Sequence, residues 1–361
     1  VKGEAIVAGA GIAGLASAHA LTELGYEVRL LERDSSLRTE GAGLTLWPNA
    51  VRALRALGLG DVVEECGHVL GEGATLTSAG ETIAHAPLDR IAERFGPLLS
   101  LHRGELLEAL RERVEVPIEF ATEVRCIDGV LHAGSERLDG ELIVAADGIR
   151  SAVRELIAPA TVPRPAGYGA WRGIAETGDL TPQQVSETLG RGKRFGLVPL
   201  SGRRTYWFAV LAEGDGTEDL AAAFAGWHEP IAAVLAATPV AKRSYLELRD
   251  LPRLPRWHRD RFVLIGDAAH AMTPNLGQGA AQALQDVAAL RHELAGGRVP
   301  DALRAYERAR KRPAERIVRQ SRLMGRVAQT ANPVAARLRD AIARHVPPAL
   351  MARQMGSALR D

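Results

Sequence analysis

Aromatic side chains are scarce in this 361-residue chain, which holds 6 Phe, 5 Trp and 5 Tyr. Cysteine is scarcer still: Cys66 and Cys126 stand far apart in no CxxC spacing, and the ten histidines form no HxxxH or HExxH pair. Neither a disulfide framework nor a bound metal is expected from such a set. Charge of one sign is also lacking. The formal charge is +1, although 41 of the 45 basic residues are arginine, and so weak a net field gives no attraction for nucleic acid. The longest uncharged apolar stretch, Ala5 to Ala18, is too short and too glycine-rich to span a bilayer and follows no basic signal region. These absences predict a cytoplasmic protein with no nucleic-acid partner and no stable membrane association.

What is present is enough apolar residue, 46%, to fill a core of two domains or one elaborated domain. The aromatics are also unevenly placed. Eight of the sixteen fall between Tyr168 and Trp227, which marks that segment as a candidate specialised surface.

The first 34 residues read as a strand, turn, helix and strand. Ala5-Ile6-Val7-Ala8 is a β-branched apolar run, Gly9-Ala10-Gly11-Ile12-Ala13-Gly14 is GxGxxG, Leu15 to Leu24 has helical spacing, and Val28 to Leu31 is a second strand ending at Glu32. In this motif Gly9 permits the turn, Gly11 admits a pyrophosphate to the backbone and Gly14 lets helix and strand pack closely, while the helix N-terminus contributes its dipole. Glu32, 18 residues beyond Gly14, accepts ribose hydroxyls and repels a 2′-phosphate, so the ligand is FAD or NAD rather than NADP.

Two later segments bear on that choice. Leu142 to Ala146 is a buried-strand run leading to Asp147-Gly148, with Ser151 and Arg154 placed to stabilise the next helix. Phe262 to Ile265 is another, followed by Gly266-Asp267, then Pro274 and Gly277-Gln278-Gly279, then an apolar helix to about Leu294. Asp267 can bind a polyol there, and the second glycine turn aims a helix N-terminus at an anionic ring.

Taken together in this order, GxGxxG with Glu32-Arg33, Asp147-Gly148 with Ser151 and Arg154, and Gly266-Asp267 with Pro274 and Gly277-Gln278-Gly279 resemble the single-component FAD-dependent aromatic hydroxylases of the para-hydroxybenzoate hydroxylase type. Gly41 to Ala50 and the run Tyr168 to Val210 are most similar to the urate hydroxylase and zeaxanthin-epoxidase-like branch. The resemblance implies an α/β fold: a Rossmann-like FAD-binding domain with an inserted, mainly antiparallel substrate sheet and a C-terminal helical segment. It divides the chain into residues 1–70 with 100–160 and 255–361 for FAD, and 71–99 with 161–254 for substrate. No further thioredoxin-like domain is expected after the helix that ends near Leu294.

By the same resemblance, Gly9, Gly11, Ala13 and Gly14 hold the pyrophosphate, Glu32 the adenosine ribose and Arg33 the adenine side, and Gly43 is a further cofactor-binding residue. Arg38 and Arg103 reach the ribityl-diphosphate region, Val124 gives backbone to the adenine pocket, and Asp267 binds pyrophosphate or ribityl oxygens. Pro274, Gly277, Gln278 and Gly279 face the pyrimidine edge of the flavin, where amide dipoles favour the reduced anion. Read without the family, the three arginines are a solvated surface. Arg194 and Tyr206 match a pair that in the urate hydroxylase sits over the flavin beside substrate; their plainer reading is a strand-edge Arg and a core Tyr. Family members carry Glu-Asp where this chain has Gln285-Asp286.

A second GxGxxG is absent, so NADH or NADPH is expected as a transient co-substrate. The implied activity is a monooxygenase that forms a C4a-hydroperoxyflavin with O2 and hydroxylates, or epoxidises, a small or medium cyclic substrate as monomer or homodimer. The alternatives are a flavin-dependent reductase or oxidase on the same scaffold and a non-catalytic flavin-binding protein; a halogenase lacks its WxWxIP segment here. Tyr168–Ile174, Phe195–Leu200 and Arg204–Val210 read as three antiparallel strands roofing the flavin, with Tyr206 and Phe208 on one face and Trp207 on the other. Their aromatics are expected to make the substrate wall. The arginine-rich stretch Asp301 to Arg326 reads as a solvated helix more readily than as a binding surface.

Overall fold

The computed structural model describes residues 2–40, 42–212 and 219–347, with Gly356 and Leu359. A six-stranded sheet runs in the order His258–Arg259, Phe262–Leu264, Leu142–Ala145, Glu4–Ala8, Glu27–Leu31, Ile118–Glu119. Every neighbouring pair is parallel except the hairpin at the first edge. Leu142–Ala145 is buried throughout and Glu4–Ala8 at all but its first residue. A strand covered on both faces has no solvent side toward which to alternate, which is why these sequences are unbroken apolar runs.

The chain leaves Glu4–Ala8 toward Glu27–Leu31 on one side and returns with Leu142–Ala145 on the other. That reversal opens a crevice at the carboxyl ends of the strands, where the first glycine turn lies. The helix Ile12–Glu23 buries Gly14, Leu15, Ala16, Ala18, Ala20 and Leu21, because it is packed against the sheet and against the helices Arg103–Glu112 and Gly279–Gly296. A helix wrapped on every side needs no polar face.

The second large sheet has seven strands, in the order Ser244–Asp250, Arg164–Glu176, Arg204–Ala212, Lys193–Leu200, Val185–Leu189, Gly73–Thr77, Thr82–Ala86. It is antiparallel except where Val185–Leu189 meets Gly73–Thr77. The three strands expected from sequence are its centre, and four more extend its edges. The edge sequences, such as Val-Ser-Glu-Thr-Leu, are short and of mixed polarity, so periodicity does not separate them from loops.

Register decides what each face carries. Tyr206 stands opposite Ile174 and Val198, and Phe208 opposite Arg172 and Gly196, so these residues share one face, while Trp207 lies with Gly173 and Leu197 on the other. The outer face is covered by the helices Leu220–Ala223 and Ile231–Ala236. The inner face meets the strand Gly43–Leu46, which pairs with Leu98–His102. The chain then continues through the long helices Gly279–Gly296 and Val299–Ala328 to Pro333–Arg344. Tyr306 fastens the second of these to the first sheet by donating to the Leu264 carbonyl at 2.9 Å. Among the described residues no helix is long and apolar enough to cross a membrane.

Candidate cofactor and substrate site

The strand ends meet so closely at the first glycine turn that side chains are excluded. Gly9 has φ +98°, and a Cβ on it would lie 2.5 Å from the Ala146 carbonyl oxygen. A Cβ on Gly14 would lie 1.7 Å from the Gly9 oxygen. At Gly11 a Cβ would touch nothing within 4 Å, so this is the open side of the turn, where a bulky anion can approach the amides at the start of the helix. Ala13 faces the third motif: a Cβ on Gly266 would stand 3.6 Å from its own.

Glu32 both braces the turn and faces the cleft. Its Oε2 accepts from the Ala10 amide at 2.8 Å and its Oε1 from the Asp34 amide at 3.0 Å, leaving a further lone pair on each oxygen for a ligand. With Gly9, Gly11, Arg33, Arg38, Arg103 and Val124 it lines a cleft of about 220 Å³. Asp147, Gly148, Arg150 and Ala152 also line it. Asp147 accepts from the Ala152 amide at 2.8 Å through Oδ2, while its buried Oδ1 has no partner. Burial pushes this carboxyl above the ordinary range.

The arginines divide by what they hold. Arg38 forms a close ion pair with Asp34, whose carboxyl this hydrogen bond holds below its ordinary range. Arg33 is half exposed, 3.9 Å from Asp34. Arg103 donates to the Arg38 carbonyl at 2.7 Å and has no ion-pair partner among the described residues. Burial, then the charges of Arg172 and Arg38, push its guanidinium below the usual range, opposed by Asp267. An uncompensated cation in a cleft lined by backbone amides is suited to a diphosphate.

Asp267 follows Gly266 and opens the short helix Asp267–His270. The residue is exposed, and desolvation by the surrounding chain raises its carboxyl against the pull of His270 and Arg103. Beyond it, Pro274 starts a short turn that ends at Gly277, φ +60°. A Cβ on Gly277 would meet Thr45 Oγ1 at 2.9 Å and Trp47 Nε1 at 3.0 Å. That indole N–H is buried and has no partner. The helix Gly279–Gly296 begins at this point with its first amides available.

The Gln278 side chain turns away from this opening. Its Oε1 accepts from Asn49 Nδ2 at 3.0 Å and Gln282 Nε2 at 3.2 Å. Gln285 belongs to the same buried amide cluster, accepting from Asn49 and Gln282 at 3.0 Å each. Below it lies a buried ionic group that the sequence did not reveal. Asp286 accepts from the Gly266 amide at 2.9 Å, His270 Nε2 at 2.5 Å and Arg310 Nε at 2.9 Å. Burial alone would raise its carboxyl, but His270 and Arg310 outweigh it and hold the group below the ordinary range.

Tyr206 and Gly277 approach the same strand. The Tyr206 ring lies over Gly43, where a Cβ would come within 2.2 Å of its Cγ. Gly41, in the same motif, lies outside the described residues. Burial pushes the Tyr206 hydroxyl above its ordinary range, with Arg172 opposing; the group therefore keeps its proton at neutral pH. Arg172, on the same inner face, donates to Ser244 Oγ at 3.1 Å and has no ion-pair partner among the described residues. Its place beside Tyr206 was readable from strand alternation once the register was known. Arg194 is 3% exposed. Its nitrogens reach Glu187 at 2.7 Å, Gln329 at 3.2 Å and Asn275 at 2.5 Å, so it binds the sheet to the turn before Gly277.

The aromatic-rich segment is not all substrate wall. Phe195, Trp207, Phe224, Trp227 and Trp171 pack together on the outer face beneath the covering helices, and Trp207 Nε1 donates to Thr238 Oγ1 at 2.8 Å. Only Tyr168, Tyr206 and Phe208 stand on the inner face. The cause is strand alternation, which distributes a run such as Tyr-Trp-Phe over both sides. Among the described residues no three His, Cys, Asp or Glu side chains are gathered to hold a metal ion.

The FAD binding domain family model matches residues 2–321. Aurachin C monooxygenase/isomerase of Stigmatella aurantiaca is 34% identical over 94% of this chain and 93% of its own length. The FAD-dependent urate hydroxylase of Klebsiella pneumoniae is 35% identical over 85% of each. The crystal structure of Klebsiella pneumoniae HpxO with FAD and uric acid superposes with a TM-score of 0.89 at 29% identity, over 99% of this chain and 96% of that one. The residues built around the cleft, with an open glycine turn, a carboxylate at its rim, an Arg103 without an ion-pair partner among the described residues and a helix N-terminus, fit the FAD that the family model names, and the chain belongs to the FAD-dependent monooxygenases of this family.

Proposed function

We propose that this enzyme hydroxylates an electron-rich, oxygen-bearing aromatic or heteroaromatic ring held between the inner face of the seven-stranded sheet and the turn Gly277–Gly279. One observation carries this reading: Tyr206 from the sheet and Gly277 from the turn both press on the segment from Gly43 to Trp47. A ring in the space beside them would have a phenol donor on one side and backbone amides on the other. Urate and a 4(1H)-quinolone appear in the names of two relatives, and both are oxygen-bearing nitrogen heterocycles.

FAD, once bound and reduced by NADH or NADPH, supplies the oxygen activation. The amides from Gly9 to Gly14 and Arg103 would hold its diphosphate, Glu32 its adenosine ribose, Arg33 and Val124 its adenine side, and Asp267 its ribityl chain. Arg38 would shape the cleft through Asp34 and its own carbonyl. Amides of Gly277 to Gly279 would stabilise negative charge on the ring system. Tyr206 orients the substrate by donating its proton, and Arg194 acts as a positioning residue through Asn275. Phe208 and Tyr168 exclude water, which otherwise diverts reducing equivalents to hydrogen peroxide.

In this reading residues 1–70, 100–160 and 255–361 form the FAD unit and residues 71–99 and 161–254 the substrate unit, in a cytoplasmic monomer or homodimer. The test is NAD(P)H oxidation over a panel of hydroxylated benzoates, purines and quinolones under labelled O2. We expect one labelled oxygen atom in product for at least one ring class. Consumption of NAD(P)H with no label in any product would overturn the reading.

A further inference from the structure

The last two helices present their apolar stripes to solvent. Among the described residues, six of the fourteen exposed large apolar side chains fall between Leu323 and Ile342. On the helix Val299–Ala328 they are Leu323, Met324 and Val327; on Pro333–Arg344 they are Val334, Leu338 and Ile342, with exposures from 45% to 72%. The spacings of four residues place Leu323 with Val327, and Val334 with Leu338 and Ile342, in one line along each helix. A surface helix ordinarily turns such a stripe inward. Pro333–Arg344 buries only Ala336 and is fixed to the end of the preceding helix by Arg339, which donates to the Ala328 carbonyl at 2.9 Å.

Cations flank both stripes. Residues 316–345 hold seven arginines and one acid, Asp340, in a chain whose whole formal charge is +1. Arg322, Arg339 and Arg344 are paired with Asp250, Asp340 and Glu81. Arg316, Arg319, Arg326 and Arg337 have no ion-pair partner among the described residues, and helical spacing puts them beside the apolar lines. The weak net charge of the chain thus conceals a local basic, apolar ridge.

We propose that this ridge is a reversible docking surface for a phospholipid bilayer bearing anionic headgroups. Val334, Leu338 and Ile342, with Leu323 and Val327, would enter the boundary between headgroups and acyl chains, while the unpaired arginines contact lipid phosphates. A second copy of the chain is a poor occupant, because a two-fold contact would bring the same arginines face to face. The proposal is independent of the reading of the flavin site.

The test uses the FAD-loaded full chain, sedimented with vesicles of phosphatidylcholine alone or with about one third phosphatidylglycerol. The expected result is recovery with the anionic vesicles only, weakened by salt as a screened contact must be. Arg337→Gln should lower the partition roughly fivefold, and Leu338→Ser with Ile342→Ser should abolish it at unchanged melting temperature and FAD content. Three results would overturn the proposal: no binding of the wild type to anionic vesicles, equal binding of the doubly substituted chain, or a concentration-dependent dimer without vesicle binding that the same substitutions dissociate.

Discussion

The two faces of the seven-stranded sheet are built from the same strands, yet they differ in what completes them. On the outer face, Phe195 and Trp207 stack with ring centroids 5.6 Å apart, Phe224 meets Phe195 edge-on at 5.1 Å, and the one polar atom of Trp207 is satisfied by Thr238. The indole N–H of Trp171, buried among these rings, is the polar atom left without a partner there. On the inner face, Arg172 has no ion-pair partner among the described residues, the Tyr206 hydroxyl is pushed toward its protonated form, and Trp47 offers a buried N–H without an acceptor. A guanidinium without a counter-charge beside a protonated phenol calls for another molecule more strongly than a lone indole N–H among aromatic rings does. Aromatic density therefore marks the sheet, and an unpaired guanidinium distinguishes its inner face from its outer one.

The comparison breaks first if the outer face is not purely structural. Trp207→Ala should cost about 3–5 kcal/mol in unfolding free energy, the usual cost of truncating a fully buried Trp, and the protein that remains folded at low temperature should bind FAD as the wild type does. Chemical denaturation and flavin titration measure the two separately. An FAD affinity that falls along with stability would mean that the faces are not independent.

A buried charge supplies the second test, at the junction of the two motifs rather than on the sheet. Asp286→Asn removes the negative charge that faces His270 and Arg310 and turns one of the two acceptor oxygens into an NH2 donor, and should cost about 3 kcal/mol. Its pH signature has a definite sign. Because the Asp286 carboxyl lies below its ordinary range in the fold, its stabilisation is present above the unfolded-state carboxylate pKa and is lost as pH falls toward the folded value. The wild type should therefore lose more stability between neutral and acid pH than the variant does, and parallel curves would count against the assignment.

How far these features could be read beforehand depends on their range in sequence. The glycine turn, Glu32 and the flanking strands lie within one short stretch whose spacing has a physical meaning, so fold and cofactor class were legible there. The seven-stranded sheet was legible only at its centre, where apolar alternation is strong. Asp286 with His270 and Arg310 was not legible, since Arg310 comes from the following helix and nothing local distinguishes it from other arginines. Gln278 carries its Oε1 to Asn49, a partner 229 positions away, a contact its glycine neighbours do not announce. The face that each aromatic occupies follows from alternation, whereas which face is covered depends on helices that arrive later in the chain.

On the cofactor side, Arg103 sharpens the idea of incompleteness. Arg103→Met removes a cation without an ion-pair partner among the described residues and keeps much of its bulk, so the apoprotein should be no less stable than the wild type. FAD affinity should fall about tenfold to a hundredfold, the loss of a charge-assisted hydrogen bond of roughly 1.5–3 kcal/mol. Fluorescence titration of free flavin reads this directly. A destabilised apoprotein with unchanged affinity would place Arg103 among the structural arginines such as Arg38.

The smallest effect is expected at Tyr206, and it separates the two faces most finely. Its ring packs on Gly43 and next to Phe208, at a centroid distance of 6.1 Å, and Tyr206→Phe keeps that packing, so stability should change by less than about 1 kcal/mol. FAD binding should also be unchanged. What should change is the fate of the reducing equivalents: without the hydroxyl to orient the ring, product formed per NAD(P)H should fall severalfold and hydrogen peroxide should rise. Because burial lifts this phenol above its ordinary range, the wild-type ratio should be flat through neutral and mildly alkaline pH, with no loss until the phenol ionises. A coupling ratio that declines near neutral pH in the wild type, and equally in the Phe variant, would assign the control of oxygen transfer to another inner-face group, and Arg172 would be the next residue to change.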